Sequence, residues 1–344
     1  MRRMLAVIKD KPGTGWELRE VPKPRPAGDE VLLRVRLIGI CGSDLAIYDG
    51  REKDLRLPVI PGHEFAGEVV ERGPDAQGLQ AGARVAVNLV RNCGSCYQCR
   101  KGQGNLCLNP NLIGFHSNGG FAEYACVPAK NCHLLPEGMS WEAAASIDPV
   151  TSALAAVQKV GVGPADRVAI LGPGPIGLYA CQLARLQGAR EVYVIGTREH
   201  LLAKARELGA HRTFLVERGD LKGCVRGILE ASEGKGPEVV VEATGNPAAL
   251  DLALSVAAKG GRIALVSIYH ERTDIEPNTI VFKELKVFGS FDYRWIDFEN
   301  ALHLIADGRV ATGPLITHKL PLSRIQEGIA LMQSREAIKV LLEP

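Results

Sequence analysis

The run Gly172-Pro-Gly174-Pro-Ile-Gly177 follows a short apolar strand at Val168–Leu171 and opens a helical stretch at Ile176. Few folds accept a strand, a glycine turn and a helix in that succession. The first glycine permits the tight turn, the second lets a pyrophosphate approach the backbone, and the third lets helix and strand pack closely. Unpaired N–H groups at the helix N-terminus then face the phosphates. Gly172, Gly174, Pro175, Ile176 and Gly177 are therefore candidate contacts to a dinucleotide. With 38 glycines in 344 residues the run alone would mean little. The strand before it and the helix after it give it meaning.

The texture around the run agrees. From about Thr151, short apolar strands at Val168–Leu171, Val192–Ile195, Thr213–Val216, Val239–Glu242, Ile263–Ser267 and Leu285–Phe288 alternate with helical stretches. Helices such as Ile176–Gln187 and Leu201–Leu208 carry apolar residues at three- and four-residue spacing. Strands joined by helical crossovers imply a doubly wound parallel sheet. The preceding segment reads differently. Met4–Ile8, Val31–Ile38, Phe65–Val70 and Arg84–Asn88 are short strands between turn residues, the pattern of a small barrel or sandwich. The tail from about Ser290 adds a helix at Phe298–Asp307 and a strand at Ile338–Leu342, with no core of its own. It is expected to pack back on the first domain.

Composition narrows the partners. No apolar run nears the roughly 20 residues that span a bilayer, and Met4–Ile8 is too short for a signal peptide. A formal net charge of +2 supplies no field for nucleic acid or a membrane surface. A small-molecule partner is expected. Of nine cysteines, five stand in metal-like contexts and the rest in apolar surroundings, which points to a reduced, cytoplasmic chain.

The tip of the second strand of the parallel sheet selects the dinucleotide. NAD enzymes place an acid there to accept from the ribose 2′-OH. Here Val192-Tyr-Val-Ile195 runs into Gly196-Thr197-Arg198. Glycine leaves room, Thr197 offers a hydroxyl, and Arg198 offers a guanidinium fork suited to a phosphate. NADP is expected over NAD. The competing reading leaves Arg198 solvated at a helix start and gives Glu199 or another acid to NAD.

Cys93, Cys96, Cys99 and Cys107 have the spacing C-x2-C-x2-C-x7-C in a loop crowded with glycine and polar residues. Four thiolates close a tetrahedral zinc shell and leave no open position, so the expected site is structural. A nucleic-acid zinc ribbon lacks support from a basic cluster near the loop. A second group is dispersed: Cys41 in Cys41-Gly42-Ser43-Asp44, His63-Glu64, and Asp148 before Pro149. A catalytic zinc needs about three protein ligands and an open position. Spacing alone leaves this group undecided, because a lone buried cysteine or core histidine is far commoner.

These motifs, with Gly119-Gly120-Phe121-Ala122-Glu123-Tyr124, fall in the order seen in the zinc-containing medium-chain dehydrogenases. The chain resembles the polyol, butanediol and threonine dehydrogenase branch over essentially its whole length. The resemblance implies a GroES-like β-barrel catalytic domain at residues 1–152, a Rossmann domain at 153–290, and a return to the catalytic domain at 291–344. It also implies a homodimer or homotetramer and two zinc ions per chain. Carried over, Cys41, His63 and Asp148 hold the catalytic zinc, and Glu64 is a ligand that exchanges with water or substrate. Asp44 hydrogen-bonds the ring of His63 and fixes its tautomer. The expected chemistry is a zinc-bound alkoxide that expels a hydride to the nicotinamide, with Ser43 accepting the first proton. The Asp148 position, usually Glu in the polyol relatives, and the Gly196-Thr197-Arg198 tip resemble bacterial NADP-dependent secondary alcohol dehydrogenases.

Two departures qualify the resemblance. Ala46 stands where a relay histidine is common, leaving Tyr48, Asp49 or water for the second proton step. Asp292 stands where polyol enzymes often carry an arginine, which puts sorbitol-type specificity in doubt. The expected substrate is a secondary alcohol, diol, polyol or sugar. A threonine-type enzyme would need a cation for the carboxylate, with Arg294 or His116 the candidates. A catalytically silent zinc protein would have lost a ligand or the glycine motif, and neither is lost.

Overall fold

The computed structural model describes residues 2–217 and 220–344. It divides into two compact units, Met1–Asp148 with Arg294–Pro344, and Pro149–Tyr293. The chain thus leaves the first unit once and returns to it.

The second unit is built on a six-stranded sheet, all of whose pairings are parallel. Its order runs Arg212–Leu215, Glu191–Gly196, Arg167–Leu171, Val239–Glu242, Arg262–Leu265, Lys286–Gly289. Arg167–Leu171 is buried at every position. That is why its sequence is a continuous apolar run instead of an alternation: parallel strands are covered on both faces. Helices Pro175–Leu186, Glu199–Glu207, Leu221–Ala231, Pro247–Val256 and Pro277–Lys283 make the crossovers. One core joins Leu171, Ile195 and Val240 of the sheet to Ile228 and Leu250 of the helices.

The first unit centres on a seven-stranded sheet in which Glu30–Gly39 pairs with Glu64–Arg72, Tyr124–Pro128 and the C-terminal strand Lys339–Glu343. The last strand enters through Leu341 opposite Gly39 and Leu342 opposite Ile38. It places Lys339 inside the sheet, beside Ile40 and Glu64. Glu64–Arg72 continues through Arg84–Val87 to Cys132–Leu134. The loop ahead of His63 is fixed by backbone hydrogen bonds: Gly119 N–H to Ile60 O at 2.7 Å, Gly120 N–H to Gly62 O at 2.8 Å, and Phe121 N–H to Pro61 O at 3.0 Å. The Gly-Gly-Phe motif therefore works as a clamp on the histidine loop. Its glycines are needed because a Cβ on Gly119 would run into the Gly62 carbonyl.

Candidate functional site: two thiol- and histidine-bearing clusters and a dinucleotide turn

The sulfurs of Cys93, Cys96, Cys99 and Cys107 lie within 4.8 Å of one another, and all four cysteines are free thiols. Cys96 Sγ stands 3.4 Å from Cys99 Sγ and 3.9 Å from Cys107 Sγ. Backbone N–H groups point at the sulfurs: Cys96 to Cys93 at 3.4 Å, Leu108 to Cys96 at 3.5 Å, and Asn109 to Cys107 at 3.4 Å. Backbone donors at Ser95 and Cys96 pull the Cys93 thiol down to about 5, whereas burial and the neighbouring sulfurs push Cys99 up to about 12. Four sulfurs this close cannot all ionise unless a cation neutralises them. The donor set and spacing fit zinc.

The second cluster brings Cys41, His63 and Glu64 within the same 4.8 Å limit. Cys41 caps the helix Gly42–Asp49, and its N–H donates to Asp44 Oδ2 at 2.8 Å. That bond turns Asp44 Oδ1 toward His63 Nδ1 at 3.8 Å, with both atoms buried. The pair faces each other as the sequence predicts, but the gap is longer than a hydrogen bond. Asp44 is spent first on the Cys41 backbone. Asp148, also buried, adds its charge to those bearing on His63. Burial alone would push His63 down, but Asp44, Cys41 and Asp148 outweigh it and drive the ring well above its ordinary value. Burial pushes Asp44 up to about 6. The cluster thus draws positive charge toward itself, which is what a divalent cation would supply. The mixed donors suit zinc with one position left open.

Sequence reasoning missed Lys339. Its ammonium, 2% exposed, lies 2.5 Å from Glu64 Oε2 and donates to Ile40 O at 3.1 Å. The signal was present as one lysine in the apolar run Ala337-Ile-Lys-Val-Leu-Leu342. Ser43 is half-buried two residues after Cys41, and Ala46 is fully packed. Asp49 is withdrawn from any proton path: its carboxylate binds Gln333 at 2.9 Å and Arg51 at 3.0 Å. Arg294 is held bidentately by Asp297 at 2.7 and 3.0 Å. His116 accepts from Leu112 N–H at 3.0 Å and faces Asp54 at 3.3 Å.

In the second unit the three glycines divide the work as the motif requires. Gly172 has φ +100°, and a Cβ there would meet Thr244 Cγ2 at 2.6 Å; a Cβ on Gly177 would collide with the Gly172 carbonyl. Around Gly174 nothing lies within 4 Å, so space is left where a pyrophosphate approaches. The helix begins with Pro175 and has no side-chain cap, leaving its first N–H groups for a ligand. At the second strand tip, Gly196 is buried while Thr197 and Arg198 are exposed. A Cβ on Gly196 would meet the Pro173 ring at 2.6 Å. Glycine is therefore required at this position because the Pro173 ring packs where a side chain would stand. Glu199 is paired with Arg206 at 2.5 Å.

Comparison with known proteins matches these features. A family model for the alcohol dehydrogenase GroES-like domain covers residues 27–137, and one for zinc-binding dehydrogenases covers residues 175–307. The chain is 35% identical over 347 residues to L-threonine 3-dehydrogenase of Pyrococcus horikoshii, covering 98% of each. It is 34% identical over 346 residues to sorbitol dehydrogenase of Halalkalibacterium halodurans, covering 99% of each. A crystal structure described as a zinc-binding dehydrogenase of Sinorhizobium meliloti, bound to NADP, superposes with a TM-score of 0.93 at 33% identity and covers 100% of both chains. The chain belongs to the zinc-containing medium-chain alcohol and polyol dehydrogenase family. It is an oxidoreductase that uses zinc and NAD(P), with a GroES-like domain and a Rossmann domain.

The buried ion pair yields a measurable expectation. Lys339→Met leaves the Glu64 carboxylate without its cation, and removing one partner of a buried pair costs about 3–5 kcal/mol. Adding Glu64→Gln should restore most of the loss in denaturant unfolding. Additive losses in the double variant would show that the two groups are not coupled.

Proposed function

We propose that the enzyme oxidises an uncharged secondary alcohol, diol or polyol, and reduces the matching ketone, with NADP preferred over NAD. The observation that carries this reading is the gathering of Cys41, His63 and Glu64 within 4.8 Å beside a buried Asp148. Zinc held by Cys41, His63 and Asp148, with Glu64 exchanging, would supply Lewis-acid polarisation and lower the pKa of the alcohol hydroxyl. Ser43 accepts the hydroxyl proton, and with Asp49 engaged elsewhere the onward path is Tyr48 or water. A dinucleotide held at Gly172, Gly174, Pro175, Ile176 and Gly177 would supply the hydride acceptor, which is the cofactor's own chemistry.

A threonine-type reading needs a cation free to meet a carboxylate. Arg294 is committed to Asp297 and His116 to Leu112 and Asp54, which favours an uncharged substrate. A cofactor-reduction assay over secondary alcohols, diols, polyols, aldoses and threonine tests the choice. Ser43→Ala should lower kcat about a hundredfold, as loss of a positioned proton acceptor does, with dinucleotide affinity unchanged. Threonine as the best substrate, or near-normal turnover of the alanine variant, would refute the respective half of the reading.

The same proposal assigns two zinc ions per chain, one structural at Cys93, Cys96, Cys99 and Cys107 and one catalytic. Such thiols must stay reduced, in keeping with a cytoplasmic setting. Elemental analysis of freshly purified protein should find both ions. Cys93→Ser should lose one ion together with thermal stability, because zinc binding contributes folding free energy. Cys41→Ser should lose activity with the fold retained. One ion or none in the wild type would contradict the assignment.

For the dinucleotide, Arg198 makes no ion pair or side-chain hydrogen bond among the described residues, while Glu199 is neutralised by Arg206. A free guanidinium at the tip suits the 2′-phosphate. Each such bond contributes about 1.5–3 kcal/mol, so Arg198→Ala should raise KM for NADP roughly tenfold to a hundredfold and leave NAD nearly unchanged. The assay needs phosphate-free buffer. A wild type preferring NAD tenfold in kcat/KM would mean that Arg198 points into solvent.

We also propose a homodimer, alone or as half of a homotetramer, formed by edge strands. Among the described residues Lys286–Gly289 pairs on one side only, and the adjoining Val281, Phe282 and Val287 are exposed at 63%, 76% and 39%. A bare edge with apolar neighbours is a template for pairing with a second copy. Light scattering should show a dimer or tetramer, and Val287→Lys should shift it toward monomer. A monomeric wild type at micromolar concentration would rule this out.

A further inference from the structure

The parallel sheet reverses its strand order between Arg167–Leu171 and Val239–Glu242. In such sheets a dinucleotide lies across the reversal, with one nucleotide served by each half. The glycine turn belongs to the first half and says nothing about how the loops of the second half are held.

Glu242 ends the strand Val239–Glu242 and is fully buried. Among the described residues it forms no ion pair, and its oxygens are met by neutral donors. Oε1 accepts from the N–H of Thr244 at 2.7 Å, from the N–H of Gly245 at 3.2 Å, and from the Thr244 hydroxyl. Oε2 accepts from the Tyr269 hydroxyl at 2.6 Å and from Gly245 N–H at 3.3 Å. Tyr269 lies on the loop that follows the next strand, Arg262–Leu265. One carboxylate therefore ties together two loops at the C-terminal edge of the second half-sheet. Their backbones touch as well: Gly245 has φ +66°, and a Cβ there would meet the Ile268 carbonyl at 2.6 Å. Thr244, held by Glu242, is also the wall against which Gly172 turns. Burial and the carboxylate push the Tyr269 phenol well above its usual range, so the hydroxyl keeps its proton and donates.

We propose that Glu242 and Tyr269 are positioning residues for the nicotinamide half of the dinucleotide. They touch no reacting atom. Their tie holds loops 244–246 and 267–269 in the arrangement that the second nucleotide meets, so binding does not have to order them. The inference rests on the dinucleotide reading of the glycine turn.

Calorimetric titration of the zinc-loaded enzyme with NADPH, NADH and ADP separates the possibilities, ADP standing for the adenosine half alone. Tyr269→Phe keeps the ring in the core and removes only the hydroxyl. It should raise Kd for the preferred dinucleotide about five- to tenfold, the scale of one lost hydrogen bond, and leave ADP within about twofold. Glu242→Gln should stay near wild type. Its amide oxygen can still accept from Thr244 and Gly245, and its NH2 can donate to the Tyr269 oxygen. Unchanged dinucleotide affinity in Tyr269→Phe, or equal weakening of ADP, overturns the proposal. A loss in Glu242→Gln as large as in Tyr269→Phe overturns it too, because charge and not the tie would then be at work. Wild-type enzyme that binds neither dinucleotide nor ADP would refute the dinucleotide reading itself.

Discussion

The first unit depends on keeping the Glu64 carboxylate inside an apolar sheet. An isolated carboxylate there would cost many kcal/mol or take up a proton. Lys339 answers it from the last strand, so the C-terminal residues complete the charge balance of a strand 275 positions earlier. This gives the chain a physical reason to return to its first unit after building a second one. The Lys339 ammonium also binds the Ile40 carbonyl, next to Cys41. Charge balance and placement of the cysteine are thus served by one side chain.

The second unit depends on backbone approaching backbone and side chain at distances that only glycine allows. Gly172 turns against Thr244, Gly177 lies on the Gly172 carbonyl, and Gly196 lies under the Pro173 ring. The contacts form a chain from the phosphate turn to the second strand tip on one side and to the Glu242 loop on the other. Gly174 differs from these three in having open space around it. Three glycines are explained by packing and one by the room it leaves for a ligand, which is the division the motif assigns to Gly172, Gly174 and Gly177 and which Gly196 extends to the strand tip.

Much of this was legible in the sequence because the signals were local. Continuous apolar runs gave the parallel strands, and their ends fall within a residue or two of those observed, as Val168–Leu171 against Arg167–Leu171 shows. The four-cysteine lobe was legible because its spacing fits within one loop. Which partner a group takes in the fold was not legible, whether that partner is distant or near. Lys339 reads as an ordinary strand residue until the fold sets it 2.5 Å from Glu64. Gly196 reads only as room for a ligand until the fold sets the Pro173 ring where its Cβ would stand. Asp44 reads as the partner of His63 until the helix cap claims its other oxygen. Arg294 reads as a free cation until Asp297 takes it three residues on. In each case several partners are compatible with the residue type, and a linear sequence does not say which of them the fold brings into contact.

The two metal-type clusters differ in the same way. In the lobe, four like donors face one another, aided by backbone N–H groups, and they supply both the charge and the coordination a zinc ion needs. Nothing further has to be arranged around them, so the lobe can sit in a small loop with exposed Cys93. The Cys41, His63 and Glu64 cluster mixes three donor types and is buried among further carboxylates at Asp44 and Asp148. Its thiolate and carboxylates carry more negative charge than one divalent cation neutralises, so the surplus must be balanced from outside the donor set. Lys339 on Glu64 and the Cys41 backbone on Asp44 do that balancing. The open cluster therefore needs a whole sheet around it, whereas the closed one needs only a loop.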